Sequence, residues 1–172
     1  MIPEAGHFLL WLALGTALVL AVVPLVGAAR GNVAWMALAR PAALLQFVFV
    51  LGAFACLAAA FVEHDFSVDY VASNSNSALP LYYRLSGVWG GHEGSMLLWQ
   101  VMLVGWTLAV ALFSRHLPQV VVARILSVMG WLAAGFLLFT IFTSNPFERL
   151  VPAVADGRDL NPLLQDPGMI FH

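Results

Sequence analysis

Few side chains in this 172-residue chain can do chemistry: five histidines, nine carboxylates, seven arginines, no lysine and one cysteine. His172 stands out by its setting. Asp166-Pro167 pairs an N-cap residue with proline at the first helical position, so the spacing predicts a helix start there, with His172 early in the helix. The positive end of a helix dipole disfavours imidazolium, and a neutral imidazole is what iron or zinc takes as a ligand. A hydrogen-bonding residue at a membrane interface is the competing reading of the same histidine. His92-Glu93 lies in Trp89-Gly90-Gly91-His92-Glu93-Gly94-Ser95. It offers an acid–base pair or a place beside a ligand, but sequence neighbours point apart, and this is not the HExxH spacing that sets two imidazoles on one helix face. Packing at a helix entry explains it as well. Three glycines in this stretch permit tight turns or close approach, and Ser95 is expected to cap the helix that follows. His7, His64 and His116 flank apolar runs and read as interface markers. Cys56, alone within an apolar run, excludes an internal disulfide, a CxxC pair and a cysteine-based zinc site, and it reads with the six methionines as packing.

The elements that must position these groups follow from composition. The chain is 62% hydrophobic and 9% charged, against about 25% charged in soluble domains, which excludes an ordinary soluble globule. A net charge of −2 without lysine gives no basic field for nucleic acid. Residues 5–29, 41–62, 94–114 and 125–147 carry no Asp, Glu, Lys or Arg. Each run exceeds the roughly twenty helical residues that cross the ~30 Å hydrocarbon core. The sequence therefore predicts an all-α membrane protein with transmembrane helices at about 8–29, 41–62, 95–114 and 125–143, an ordered outer loop at 63–94 and an outer tail at 144–172. Two short connections hold Arg30, Arg40, Arg115 and Arg124 without an acid, while the long loop and the tail are acidic. The positive-inside rule then puts the N-terminus, loop and tail outside. The acidic Met1-Ile2-Pro3-Glu4 leader and the length of the first run argue against a cleaved signal peptide.

Phe66, Val68 and Tyr70 alternate with Ser67 and Asp69, which predicts a short extended segment, followed by a polar turn over Ser73-Asn74-Ser75-Asn76-Ser77. After Pro80, Leu81, Leu85, Val88 and Trp89 share a helical face widened by Tyr82, Tyr83 and Arg84, a composition suited to an interfacial helix. Pro146, Pro152, Pro162 and Pro167 forbid one continuous tail helix, and Asn161-Pro162 signals a helix start of its own. The apolar run Gly168 to Phe171 breaks off after one turn, so a fifth membrane helix is expected to be truncated and the chain to be the N-terminal piece of a larger protein.

Three stretches resemble one family: Val71-Ala72-Ser73-Asn74-Ser75-Asn76; Trp89 to Ser95 running on to Leu97-Leu98-Trp99; and Gly157-Arg158-Asp159-Leu160-Asn161-Pro162-Leu163-Leu164-Gln165-Asp166-Pro167 leading to His172. They are similar to the N-terminal part of the CcmF family, the haem lyases of bacterial System I cytochrome c maturation, which has a close paralogue used for nitrite reductase. The resemblance implies a multi-pass protein of the bacterial cytoplasmic (inner) membrane handling haem b, with His172 as an axial iron ligand. It implies as partners the haem chaperone CcmE, CcmH-type thiol and apocytochrome chaperone subunits, apocytochrome c and membrane lipid. Trp89 and the glycine turn are then candidates for the rim beside the macrocycle, and Arg84 for a propionate or a headgroup phosphate. The family's tryptophan-rich segment, second outer histidine and intramembrane histidine pair lie beyond this stretch, so the segment alone is expected to be inactive. A haem transporter piece and a structural assembly subunit are the other classes. Against the transporter, the four spans carry no ionisable residue beyond flanking histidines.

Overall fold

The computed structural model describes residues 1–166 and 168. Among them the chain is all-α: α1 Ile2–Arg30, α2 Val33–Ala37, α3 Ala39–Val62, α4 Asp69–Asn74, α5 Leu81–Gly87, α6 His92–Phe113 and α7 Gln119–Thr143, with a 3-10 turn at Pro162–Gln165. Strand pairing among the described residues is one isolated antiparallel bridge, Val68 with Arg149. Four segments are long and apolar enough to cross a membrane: α1, α2–α3 together, α6 and α7. All four spanning helices begin before their charge-free runs, whereas the runs 94–114 and 125–147 outlast α6 and α7 at their C-terminal ends. Glu4 in the first turn of α1 and Arg30 in its last both suit the macrodipole, so neither charge stops the helix. Asn32 starts α2, its side chain accepting from the Trp35 N–H at 3.2 Å.

The spans alternate in direction. α1 packs on α3 and α7, and α6 closes the other side against both. Small side chains line these seams, among them Ala13, Ala17, Ala21, Ala53, Ala133 and Ala134, all buried, which lets the backbones approach closely where no water drives association. Polar groups in the seams bond locally or across: Thr107 to the Leu103 carbonyl at 2.8 Å, Ser127 to Ala123 at 2.8 Å, and the Gln100 amide nitrogen to the Thr140 hydroxyl, tying α6 to α7. Gln46 is fully buried on α3, and neither of its amide atoms has a protein partner.

Alternation of the spans sorts the charges. Arg30, Arg40, Arg115 and Arg124 collect at one end with no carboxylate, and all nine carboxylates lie at the other with three arginines. At the arginine end Arg40 donates to the Ser114 carbonyl at 3.4 Å, and the Arg30 guanidinium sits 6.0 Å from the Trp35 ring centroid.

Three local expectations change. The extended segment at Phe66 to Tyr70 reduces to Val68, because the tail offers it one rung: Leu150 N–H donates to the Ser67 carbonyl at 2.8 Å and Asp69 N–H to Glu148 at 2.9 Å. Asp69 then opens α4, which absorbs Ser73 and Asn74 from the expected turn. Ser95 is not a cap: α6 begins at His92 behind an extended Gly91, and the Ser95 hydroxyl reaches back to the Trp89 carbonyl at 2.7 Å. The helix expected after Pro80 forms as α5. Asn161 starts the 3-10 turn, accepting from Leu164 N–H at 2.9 Å, and the Asp166 carboxylate accepts from Gly168 N–H at 2.7 Å. His172 and the expected fifth span lie outside the described residues.

Candidate functional site

At the acidic end, the loop between α3 and α6 and the tail after α7 fold onto each other. Tyr70 of α4 stands at the centre, buried, its ring edge-on to Phe61 with centroids 5.5 Å apart. Its hydroxyl accepts from Gly91 N–H at 2.9 Å and faces the Val88 and Gly87 carbonyls at 3.2 and 3.3 Å, to one of which it donates. Burial pushes the phenol well above its usual range, so it stays a neutral donor. One side chain thus fixes the turn through Trp89, Gly90 and Gly91 that leads into α6.

The tail crosses this turn. Arg158 N–H donates to the Ala72 carbonyl at 2.7 Å, which seats Gly157 against the Ser75 carbonyl. The Asp156 carboxylate accepts from the Ser77 N–H and hydroxyl at 3.0 and 2.8 Å, and Asn76 donates to Asp159. Leu160 is fully buried, and the side chains of Leu160 and Leu164 lie on Gly90. Hydrogen bonds from Ser77 hold the Asp156 carboxyl below the ordinary aspartate value of 3.8. A depressed folded value means that this tether is complete above 3.8 and is lost as pH falls through the lower folded value. The Ser77 amide resonance is accordingly expected to hold its shift down to about pH 4 and move below it, and Asp156→Asn to give the displaced shift at every pH.

A second clasp ties the tail to the bundle. Arg149 donates from Nε to Glu4 of α1 at 3.0 Å, from Nη1 to both Asp65 oxygens at 3.3 Å, and to the Ser67 hydroxyl. The bonds to Glu4, first of all, hold its guanidinium above the usual arginine range, so it is charged at every working pH.

The residues singled out in the sequence are distributed as follows. Arg84 donates through Nη1 to the last-turn carbonyl of Val62 at 2.9 Å and meets His64 Nε2 at 2.9 Å, so it closes the C-terminus of α3. Trp89 is half-buried against the core at the base of the turn. His92 and Glu93 part company. His92 Nδ1 meets the Ser144 hydroxyl at 2.6 Å with its ring against Phe139, whereas Glu93 faces a polar cavity of about 110 Å³ shared with Tyr70 and Asn74. Among the described residues no three His, Cys, Asp or Glu side chains are grouped to hold a metal ion. Tyr70, Asp156, Gly157 and Arg149 are the residues that sequence reasoning did not single out individually. The unbroken polar run Asp156-Gly157-Arg158-Asp159 between apolar positions was the available signal.

The four-span bundle with an ordered polar platform confined to the acidic end defines a multi-pass membrane protein. Residues 89–172 match the cytochrome c assembly protein family. Across the whole chain the sequence is 63% identical to the cytochrome c-type biogenesis protein CcmF of Pseudomonas aeruginosa and 58% identical to that of Escherichia coli, covering 26% and 27% of those proteins. A solved cytochrome c haem lyase CcmF superposes with a TM-score of 0.81 at 28% identity, over 86% of this chain and 25% of that one. The chain belongs to the CcmF family of cytochrome c-type biogenesis proteins, and it spans about a quarter of the length of the curated relatives it matches.

Proposed function

We propose that this chain is the N-terminal part of a cytochrome c haem lyase that receives haem b outside the cytoplasmic membrane and takes part in its attachment to apocytochrome CxxCH motifs. One observation carries the reading: the three stretches that bear the family likeness, far apart in sequence, meet on one platform, with Leu160 and Leu164 of the tail resting on the turn that follows Trp89. In each attachment step a cysteine S–H adds across a haem vinyl group, sulfur to one carbon and hydrogen to the other, without net oxidation. The task left to protein is orientation: an axial imidazole from His172, an apolar rim at Trp89 and an open vinyl edge. The platform's part is to hold the tail, as far as Gln165, against the turn that leads into α6. Arg84 has its Nη1 engaged by Val62 and His64, which leaves Nη2 to face a haem propionate or a lipid phosphate. Haem arrives from the chaperone CcmE, and apocytochrome c from CcmH-type subunits. The arginine end faces the cytoplasm and the platform the periplasm of a bacterial inner membrane.

His172→Ala in the complete protein is expected to lower cytochrome c maturation, with partial rescue by added imidazole. Maturation at the unmodified level would remove the ligand assignment. A reporter fused after position 172 is expected to be active outside the cytoplasm, and cytoplasmic activity would invert the topology.

A further inference from the structure

Two openings on the exposed side of α1 have no part in that reading. One, of about 450 Å³, lies where α1 begins and the tail leaves α7, between Glu4, His7, Asn145, Glu148 and Arg149. The other, of about 410 Å³, is an apolar groove between α1 and α3, walled by Leu12, Val19, Leu38 and Leu45. Trp11 lines both, so the two openings adjoin at this side chain, the polar one at the acidic end and the apolar one below it. The indole is fixed there: its N–H donates to His7 Nε2 at 2.9 Å, and its ring stands edge-on to Phe142 with centroids 5.6 Å apart.

We propose that these two adjoining openings act as one cleft, a binding site for a phospholipid with a zwitterionic, ammonium-bearing headgroup, seated with the ammonium at Glu148 and an acyl chain along Gly15. Dimensions favour an acyl chain. Trp11 to Val19 covers about 12 Å of helix, and the hydrocarbon of one leaflet is about 15 Å deep, half of the ~30 Å core. The groove is open at Gly15, where a Cβ would meet nothing within 4 Å. Charge selects the headgroup. All three Arg149 nitrogens already donate to Glu4, Asp65 or Ser67, and Glu4 also pairs with the N-terminal amine at 2.8 Å. Glu148, which stands between this opening and the polar cavity beside Glu93, is then the lining carboxylate with no ion pair among the described residues. An anionic headgroup would meet a neutralised arginine beside an unneutralised carboxylate, whereas an ammonium finds Glu148. Asn145 spends its side-chain oxygen on Phe147 N–H at 3.0 Å, leaving its amide N–H groups for a phosphate oxygen. Trp11 and His7 give the amphipathic lining expected where headgroup meets hydrocarbon.

The full chain in mild detergent, offered phosphatidylethanolamine or phosphatidylglycerol of matched acyl chains, is examined by native mass spectrometry. One phosphatidylethanolamine is expected to be retained about fivefold better than phosphatidylglycerol, the discrimination that about one surface charge supplies. Gly15→Leu, whose side chain would occupy the groove from a position where the Cβ itself meets nothing within 4 Å, is expected to abolish retention of both lipids with an unchanged melting temperature. Glu148→Gln is expected to bring the two lipids to parity while total retention persists. Equal retention of both lipids by the unmodified chain, or full retention by Gly15→Leu, overturns the site. So does a photo-crosslinker at position 15 that captures polypeptide instead of lipid in the complete protein. None of these readouts depends on haem, so the site and the lyase reading fail separately.

Discussion

Gly157→Ala will release the tail from the loop between α3 and α6. A Cβ built at Gly157 would lie 2.0 Å from the Ser75 carbonyl oxygen and 2.9 Å from that of Ala72, with the Phe66 ring at 3.0 Å. Neither carbonyl can yield cheaply, since Ala72 is the acceptor for Arg158 N–H and retreating would break that bond. Overpacking against fixed backbone costs about 1–3 kcal/mol and occasionally more, and here the cost falls on a local docking that the bundle does not need for its own fold. The expected result is a tail that opens about 5- to 150-fold more often, read as faster tryptic cleavage after Arg158 with the bundle's melting temperature unchanged. In the complete protein, maturation is expected to fall in parallel. Cleavage at the unmodified rate would show that the tail is held by something other than this seat.

Gly94→Ala strikes deeper. Its Cβ would lie 1.8 Å from the Val88 carbonyl oxygen and 2.5 Å from the Tyr70 hydroxyl, at the joint where the loop enters α6. Both obstacles belong to one bonded unit, because Tyr70 bridges Gly91 N–H to the carbonyls of Gly87 and Val88. We expect a loss of about 3 kcal/mol, the upper part of the overpacking range, measured as a lower melting temperature in detergent. Tyr70→Phe alone is expected to cost about 1–2 kcal/mol by leaving the Gly91 N–H without its acceptor. Combined, the two should cost less than their sum, since removing the hydroxyl takes away one of the three close contacts, leaving the Val88 carbonyl and the ring edge of residue 70. Strict additivity would mean that Gly94 and Tyr70 do not share this joint.

The bundle was legible in the sequence because hydropathy acts over twenty residues at a time. The four charge-free runs fall on α1, α3, α6 and α7, with 94–114 and 125–147 running a few residues past the ends of α6 and α7. Their ends were less so. A glutamate at position 4 and an arginine at 124 sit comfortably on helices whose ends reach the interface, and no count of apolar residues sees that. The loop was readable where local chemistry decides, as at Pro80 before α5 and Asn161-Pro162 before the 3-10 turn. It was unreadable where a distant partner decides. Alternation from Phe66 to Tyr70 suggested a strand, but a strand needs a neighbour, and the tail supplies one rung, at Arg149. The platform itself was invisible for the same reason. Asp156 finds Ser77 across 79 positions and Arg149 finds Glu4 across 145, and nothing in either local sequence names its partner.

The separation of charge between the two ends has an electrical consequence. With nine acids and three arginines on one side and four arginines on the other, the molecule is a dipole laid across the bilayer. In the orientation we propose, an energised membrane, negative within, pulls each end toward the side it already occupies. Dragging one elementary charge the wrong way costs about 2.3 kcal/mol for every 100 mV. The respiratory voltage would then act as a lock on the topology, weakening when the membrane is depolarised and bearing hardest during insertion of the helical hairpins that carry the arginines.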